Sequence, residues 1–327
     1  MQSRQVLLKA RPDGMPTASD FEIETVDVPD PGPGEVLVQN LFMSVDPYMR
    51  GRMRLDFSLG EPLAGGAVGK VIASNNDQYR EGDYVTNPLG WREYCLVKQG
   101  LGQVDPELAP LQAYLGVMGM PGLTAYGGLL RTGEFTDGET VFVSAASGAV
   151  GSVVGQIVRI RGGVAIGSAG SDAKVNTLTT EFGFDHAFNY KTADPLQELQ
   201  RAAPEGIDIY FENVGGLQLE AALTHIRPYG RIPICGMISM YNDREPSPGP
   251  RNLTETIYKF VTLRGFVVSA FGDLQAQFRE DMSGWIASGQ LKYHETIFEG
   301  IDNAPAAFMG LFDGSNDGKM LVRLADA

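Results

Sequence analysis

The chain has 327 residues, of which 43% are hydrophobic and 20% charged, and its formal net charge is −14. These values are typical of a globular protein with a substantial core, in one large domain or two ordinary ones. The acidic excess argues against a nucleic-acid surface, which needs clustered Lys and Arg. No apolar run has the length of a membrane span and no signal peptide is recognisable, so we expect a cytoplasmic protein without a membrane partner.

Few side chains of the sequence are suited to a metal site. The two cysteines, Cys95 and Cys235, are too few for a four-thiolate zinc site, and a cytosolic chain disfavours a disulfide between them. The three histidines, His186, His225 and His294, form no HExxH or HxxxH pair. We therefore predict neither a structural nor a catalytic metal.

Short extended runs separated by turns fill the region from Gln5 to Val104. Strand-like segments at Glu35–Val45 and Gly65–Ser74 stand between clusters of Gly and Pro. This pattern predicts a small barrel or folded sheet rather than alternating strands and helices.

From Thr140 onward, strand-like and helix-like segments alternate. The predicted strands are Val141–Ala145, Val164–Ser168, His186–Asn189, Ile207–Glu212, Arg231–Cys235 and Leu263–Val268. The predicted helices are Ala149–Ile160, Asp172–Phe182, Pro195–Ala202, Leu217–Ile226 and Asp273–Ser288. This alternation predicts a doubly wound, mostly parallel sheet. The tail Gly318–Leu324 is strand-like and is expected to return to the first domain.

The segment Ala146–Gly151, ASGAVG, lies between the first of these strands and the first helix. It has the spacing of the glycine turn that lets a dinucleotide pyrophosphate approach a helix N-terminus, with Ala146 in place of the first glycine. Alanine is tolerated there if its φ is negative. Glycines that only allow close helix packing would give the same pattern, but the strand before and the helix after favour a cofactor site.

The end of the second strand bears on which dinucleotide is bound. An NAD site places an acidic residue there, about 20 residues after the glycine turn, to bind the ribose hydroxyls. Here that spacing falls on Ala169–Ser171, and Lys174 follows shortly afterwards. A missing acid and a nearby cation favour the 2′-phosphate of NADP, although a solvated lysine in a first helical turn is also common.

Asn213 and Gly236 follow two later strands, at the sheet edge where open α/β folds bind ligands. They are candidates for the ribose and nicotinamide, although both residue types also populate ordinary turns. Cys235 is interpreted as a small buried hydrophobe rather than a nucleophile.

Together these segments resemble the zinc-independent medium-chain dehydrogenase/reductase superfamily, in the branch of prostaglandin/leukotriene reductases, alkenal double-bond reductases and bacterial curcumin-type reductases. The matching stretches include SVDPYMRGRM (Ser44–Met53), MGMPGLTAYGGL (Met118–Leu129), SGAVGSVVGQI (Ser147–Ile157), ENVGG (Glu212–Gly216), ICGMISMYN (Ile234–Asn242) and GKML (Gly318–Leu321). The resemblance implies a GroES-like β-barrel domain from residues 1–122 and 300–327, a Rossmann NADP-binding domain from residues 123–299, and a homodimer.

By this resemblance, NADP(H) is the cofactor. Lys174 and Tyr190 would hold its 2′-phosphate and adenosine side, and its nicotinamide half would meet Asn213, Cys235–Tyr241, Phe266–Val268 and Asn316. The implied contacts are Gly148, Ala149, Val150, Gly151, Lys174, Tyr190, Asn213, Cys235, Gly236, Met237, Ile238, Ser239, Tyr241, Phe266, Val267, Val268 and Asn316. Asn316 stands in FDGSNDGK, where relatives usually have a GENxGK type of sequence, but it keeps the Asn-x-Gly-Lys frame.

The implied reaction is NADPH-dependent reduction of the C=C bond of a small hydrophobic enal or enone. Such a reaction needs hydrogen-bond donors for the negative charge that develops on the carbonyl oxygen. Tyr48 and Tyr258 are the candidate catalytic donors, and Tyr241 is a candidate cofactor or lid contact. A half-buried packing role is the alternative for any single tyrosine.

The sequence supports three alternative functions to different degrees. A quinone reductase of the same superfamily, or an NADPH-binding protein without turnover, remains open. An NAD-linked alcohol dehydrogenase is disfavoured, because the first domain lacks zinc ligands and the second strand lacks a terminal acid.

Overall fold

The computed structural model describes residues 1–326. Its strands are β1 (Gln2–Leu8), β2 (Phe21–Asp27), β3 (Val36–Ser44), β4 (Ala67–Ser74), β5 (Tyr84–Asn87), β6 (Tyr94–Val97), β7 (Gly102–Gln103), β8 (Thr140–Val143), β9 (Val164–Ala169), β10 (His186–Asn189), β11 (Ile207–Phe211), β12 (Ile226–Ile234), β13 (Thr262–Gly265), β14 (Glu295–Glu299) and β15 (Lys319–Arg323). Its α-helices are α1 (Tyr48–Leu55), α2 (Met120–Gly127), α3 (Gly151–Ile160), α4 (Asp172–Thr180), α5 (Pro195–Ala202), α6 (Gly216–His225), α7 (Glu255–Tyr258), α8 (Gln275–Ala287) and α9 (Ala304–Asp313). No helix within residues 1–326 is long and apolar enough to cross a membrane.

The chain divides into two compact units. The first contains Met1–Gly116 and the residues from Glu295 onward, and the second contains Val117–His294. The family resemblance implies boundaries a few residues later, after residues 122 and 299, and that division stays a prediction. Helix α2 packs against α3 and α8 of the second unit.

The first unit is built on a seven-stranded sheet in the order β14-β15-β3-β4-β5-β7, with β6 paired to β3. Apart from the parallel pair β14–β15, its ladders are antiparallel. The tail strand β15 lies between β14 and β3, so the predicted return of the C-terminal tail is confirmed. Beside the sheet, the buried ring of Trp91 packs between Phe21 and Phe308, with ring centroids 6.2 Å and 6.0 Å away.

The second unit is built on a six-stranded parallel sheet in the order β10-β9-β8-β11-β12-β13. Numbered within the unit, this is the order 3-2-1-4-5-6 of a Rossmann sheet, which reverses direction between β8 and β11. Val141, Phe142 and Val143 of β8 are fully buried, as expected for a central parallel strand covered on both faces. The predicted fold class, a Rossmann sheet with a separate β domain, is confirmed.

Strand β12 differs most from its prediction. It begins at Ile226 rather than Arg231, because its first half contains Pro228 and Gly230, which the sequence pattern does not expect inside a strand. Strand β13 ends at Gly265 rather than Val268, since the chain turns into a 3-10 helix that starts at Val268.

Candidate functional site

In the turn between β8 and α3, the residue with a left-handed backbone is Ala145, directly before Ala146. Ala145 has a φ of +47°, whereas Ala146 is not among the residues with positive φ. A left-handed conformation costs a non-glycine residue about 1 kcal/mol. Ala146 therefore fits in place of the first glycine, and its N–H donates to Ser168 O of β9 at 2.9 Å.

Two glycines let the backbone of this turn pack tightly on itself. A Cβ at Gly151 would lie 2.4 Å from Ala145 O, and one at Gly148 would lie 3.2 Å from the same atom. Gly151 begins α3, and the first N–H groups of a helix have no partner within the helix. Together with Ala149 and Val150, which lie between the two glycines, they form a backbone surface suited to an anion.

The adjacent strand β9 ends beside a lysine and a tyrosine. Ser171 caps α4 and accepts a hydrogen bond from the Lys174 N–H at 3.4 Å, which fixes Lys174 in the first turn of that helix. Tyr190 follows β10, is 40% exposed, and its N–H donates to Ala169 O at 3.2 Å. The carboxyl of Asp172 accepts from Asn189 Nδ2 at 2.8 Å.

Asn213 joins the ends of β8 and β11, where the strand order reverses. Its backbone N–H donates to Ser144 Oγ at 2.9 Å and its Nδ2 to Ser144 O at 2.8 Å. One N–H of the amide is therefore used within the protein, and the amide oxygen and the second N–H are the polar groups that Asn213 offers to a ligand.

Glu212, to which the sequence analysis assigns no role, is fully buried at the same junction. Its Oε1 accepts from Tyr210 OH at 2.8 Å, Val214 N at 2.6 Å and Gly215 N at 2.8 Å. Its Oε2 has no hydrogen-bond partner within residues 1–326. Burial raises the pKa of the Glu212 carboxyl, while the two backbone N–H donors act in the opposite direction. The available signal was an acidic residue directly after a buried apolar strand.

The turn after β12 docks on the loop that follows β11. The N–H groups of Cys235 and Gly236 donate to Glu212 O at 2.9 Å and 3.1 Å. In the same way, the Ile238 N–H donates to Asn213 O at 3.1 Å and the Ser239 N–H donates to Val214 O at 3.1 Å. These contacts bring Asn213 and the turn Cys235–Ser239, which are predicted to contact the cofactor, together at one edge of the sheet.

Tyr241 folds back onto this turn. Its hydroxyl accepts from the Met237 N–H at 3.3 Å, and a Cβ at Gly236 would lie 2.8 Å from that hydroxyl oxygen. Burial raises the pKa of the Tyr241 hydroxyl and raises that of the Cys235 thiol to about 12. Both groups are therefore neutral at physiological pH, which agrees with the interpretation of Cys235 as a hydrophobe.

Phe266 packs inside the second unit beyond the end of β13. A Cβ at Gly128 would lie 2.4 Å from Phe266 Cζ, and the ring packs edge-on against Phe211 at 6.0 Å. Val267 is exposed and Val268 is half-buried. The backbone and the two valines of this segment, rather than the phenylalanine ring, are free to meet a ligand.

Tyr48 opens α1 in the first unit, two residues after a buried ion pair. Lys319 Nζ lies 3.1 Å from Asp46 Oδ1 and donates to Val45 O at 2.9 Å. Ser44 Oγ donates to the other oxygen of Asp46. Tyr48 is 42% exposed, and burial of its hydroxyl, with the nearby charge of Asp46, raises its pKa to about 12.

The two remaining predicted residues have different environments. Asn316 lies in the first unit, where its Nδ2 donates to Gly318 O at 3.1 Å and closes the turn before β15. Tyr258 ends α7 in the second unit and is 77% exposed. Within residues 1–326, no group of three or more His, Cys, Asp and Glu side chains is arranged to hold a metal ion.

Substitution of Glu212 by Gln tests the buried carboxyl. Because its pKa is raised above 4.5 in the folded chain, the folded state binds more protons than the unfolded chain as pH rises past that value. As pH rises above about 5, the free energy of unfolding of the wild type is expected to fall relative to that of Glu212→Gln, until the folded carboxyl is itself ionised. Urea unfolding of both proteins measures this.

Glu220→Gln is the matched control, because Arg251 lowers the pKa of Glu220. A carboxyl whose pKa is lowered by folding contributes its full stabilisation at every pH above its pKa in the unfolded chain. The difference in unfolding free energy between Glu220→Gln and the wild type is therefore expected to stay constant over the same pH range. A constant difference for Glu212→Gln as well would contradict the assignment.

Comparisons with known proteins agree with this geometry. A family model described as the N-terminal domain of oxidoreductase matches residues 4–103, and one described as zinc-binding dehydrogenase matches residues 149–288. The chain is 43% identical to the NADP(+)-dependent 2-alkenal reductase of Nicotiana tabacum, covering 99% of this chain and 98% of that protein. It is 46% identical to prostaglandin reductase 1 of Bos taurus, covering 95% of each.

A solved structure, CurA of Vibrio vulnificus in complex with NADPH, superposes with a TM-score of 0.94 at 38% identity, covering 99% of this chain and 100% of that one. The order of the parallel sheet, the glycine turn and these likenesses along nearly the whole length lead to one conclusion. The chain belongs to the zinc-independent medium-chain dehydrogenase/reductase family, in the branch that includes the prostaglandin and alkenal reductases.

Proposed function

We propose that this chain binds NADPH and reduces the C=C bond of α,β-unsaturated aldehydes or ketones. The observation that carries the proposal is the end of β9, where Lys174 and Tyr190 stand in place of the acidic residue of an NAD site. Relatives named for NADP-dependent reduction of alkenals and for prostaglandin reduction support the same chemistry.

Separate groups of residues suit the pyrophosphate, the adenosine end and the nicotinamide half of NADPH. The turn at Gly148 and Gly151, which has no room for a Cβ at Gly151, suits the pyrophosphate. Lys174 and Tyr190 suit the 2′-phosphate and adenosine end. The residues proposed for the nicotinamide half are Asn213, Cys235, Gly236, Met237, Ile238, Ser239, Tyr241, Phe266, Val267, Val268 and Asn316.

When bound, NADPH supplies a hydride for the β-carbon of the enal or enone. The protein has to stabilise the negative charge on the carbonyl oxygen with donors that are already in place. Tyr48 offers a hydroxyl for this role, which is protonated at physiological pH with its pKa raised to about 12. The proton for the α-carbon comes from a side chain or from water.

Of the two tyrosine candidates, Tyr48 is the better supported. It starts a helix that is fixed by the buried pair of Asp46 and Lys319, whereas Tyr258 is 77% exposed at the end of a short helix. A donor works best where water is excluded and its position is fixed. Tyr258 therefore serves as the comparison residue in the mutational test.

A substrate panel followed by NADPH absorbance tests the proposal. Enals and enones are expected to be reduced with NADPH at a kcat/KM well above that for quinones, and the products are expected to be saturated at the former C=C bond. Faster turnover of quinones than of enones would indicate the quinone reductase function. NADPH binding without oxidation across the whole panel would indicate a non-catalytic binding protein.

The substitution Lys174→Ala tests cofactor choice. Loss of the ammonium is expected to raise the KM for NADPH about tenfold, equivalent to about 1.4 kcal/mol, and to leave that for NADH unchanged. Steady-state kinetics with both cofactors measures this, with the exposed Lys292→Ala as the charge-matched control. Equal effects of Lys174→Ala on the two cofactors would exclude a phosphate role.

Tyr48→Phe tests the proposed donor. Removing the hydroxyl is expected to lower kcat for enone reduction about a hundredfold, the usual effect of losing one donor to a developing oxyanion. The KM for NADPH should stay close to the wild-type value. If Tyr258→Phe lowers kcat and Tyr48→Phe does not, the roles of the two tyrosines are reversed.

We also propose that the protein is a homodimer. Strand β13 lies at the edge of the parallel sheet with exposed residues, and an open edge is suited to pairing with a second chain. Phe260, two residues before this strand, stacks on Tyr229 of the neighbouring strand β12, with ring centroids 5.1 Å apart, and both rings are exposed. An exposed apolar group beside an open strand edge favours an interface.

Sedimentation velocity tests the dimer, which should have twice the 35.3 kDa mass of the chain. Phe260→Asp is expected to yield monomers, and Asp tolerates the φ of +54° at this position better than most residues. The exposed Leu108→Asp in the first unit is the control and should remain dimeric. A wild type of single-chain mass would contradict the proposal.

A further inference from the structure

A second lysine, Lys191, lies at the same sheet edge as Lys174. It follows Tyr190 just beyond β10, whose Asn189 is paired with Ala169, the last residue of β9. A Cβ built on Gly170 would lie 3.4 Å from Lys191 Cε and 3.2 Å from Tyr190 OH. The side chains of Lys191 and Tyr190 therefore both reach back over the carboxyl end of β9.

The surroundings of Lys191 leave its charge available. Its side chain is exposed, and its ammonium forms no ion pair within residues 1–326. Its backbone N–H donates to Asn189 Oδ1 at 3.1 Å, while Asn189 Nδ2 donates to the carboxyl of Asp172 at 2.8 Å. Asn189 thus holds the backbone of Lys191 through its side-chain oxygen and binds the carboxyl of Asp172 through its side-chain nitrogen.

This position is the one that an adenosine ribose occupies in a Rossmann fold, beside the end of the second strand. A phosphate monoester on that ribose carries a charge of about −2 at neutral pH, which one lysine only partly neutralises. The chain has a net charge of −14, so long-range repulsion has to be offset by cations at the site itself. Gly170 contributes by having no side chain against the tyrosine hydroxyl.

We propose that Lys191 is a second ligand of the cofactor 2′-phosphate and, with Lys174, determines the preference for NADPH over NADH. The inference rests on the proposed function, since it assumes that NADPH is the cofactor. It adds a specificity-determining residue at the adenosine end of that site.

The test is calorimetric binding of 2′,5′-ADP and of 5′-AMP, two fragments that differ by the 2′-phosphate. Lys191→Ala is expected to weaken 2′,5′-ADP binding about tenfold, or about 1.4 kcal/mol, and to change 5′-AMP binding less than about twofold. Lys191→Arg should retain most of the affinity, because it keeps the charge. The control Lys292→Ala should bind both fragments like the wild type.

The outcomes separate this proposal from the function on which it rests. If the wild type binds 2′,5′-ADP no more tightly than 5′-AMP, the NADPH function fails and the role of Lys191 fails with it. If the wild type discriminates and Lys191→Ala discriminates equally well, only the role of Lys191 is overturned. An unchanged melting temperature of Lys191→Ala will show that weaker binding does not come from unfolding.

Discussion

The carboxyl of Glu212 connects three segments of the second unit at the point where the sheet order reverses. Its side chain accepts from Tyr210 of β11 and from the loop after that strand, and its backbone oxygen accepts from the turn after β12. Taking a carboxyl out of water costs several kcal/mol, which the converging donors have to offset. Glu212 is therefore one buried anchor that the loops at this edge share.

Local signals account for the elements that the sequence analysis predicted well. Helix α5 was predicted with the observed bounds because Asp194 caps it, accepting from Gln197 N at 2.9 Å, and Pro195 occupies its first position. The first half of β12 is not predictable from local pattern, because Pro228 and Gly230 lie where the ladder with β11 shifts its register, between the pairs Ile207–Ile226 and Ile209–Arg231. In the same way, the left-handed φ of Ala145 depends on the strand and helix on either side of it.

The candidate site shows the same division between local and long-range information. Gly148, Gly151 and Lys174 were predicted because they belong to short segments with a fixed spacing. Glu212 acquires its role only when β8, β11 and β12 lie side by side. Lys319 reaches Val45 across 274 positions of sequence, a contact that no local pattern indicates. The cytoplasmic location and the domain boundaries implied by the resemblance remain predictions.

The buried pair of Asp46 and Lys319 also affects the order in which the two units are able to form during synthesis. The second unit is one continuous stretch of chain and has all its strands once residue 294 has left the ribosome. The first unit has its early strands long before, but β15, which lies between β3 and β14, is made after the whole second unit. Until β15 is made, Asp46 lacks its buried partner Lys319, so the helix that carries Tyr48 reaches its final environment only after the second unit is complete. In a chain arranged in this way, the parallel-sheet unit is able to fold before the first unit has all its strands.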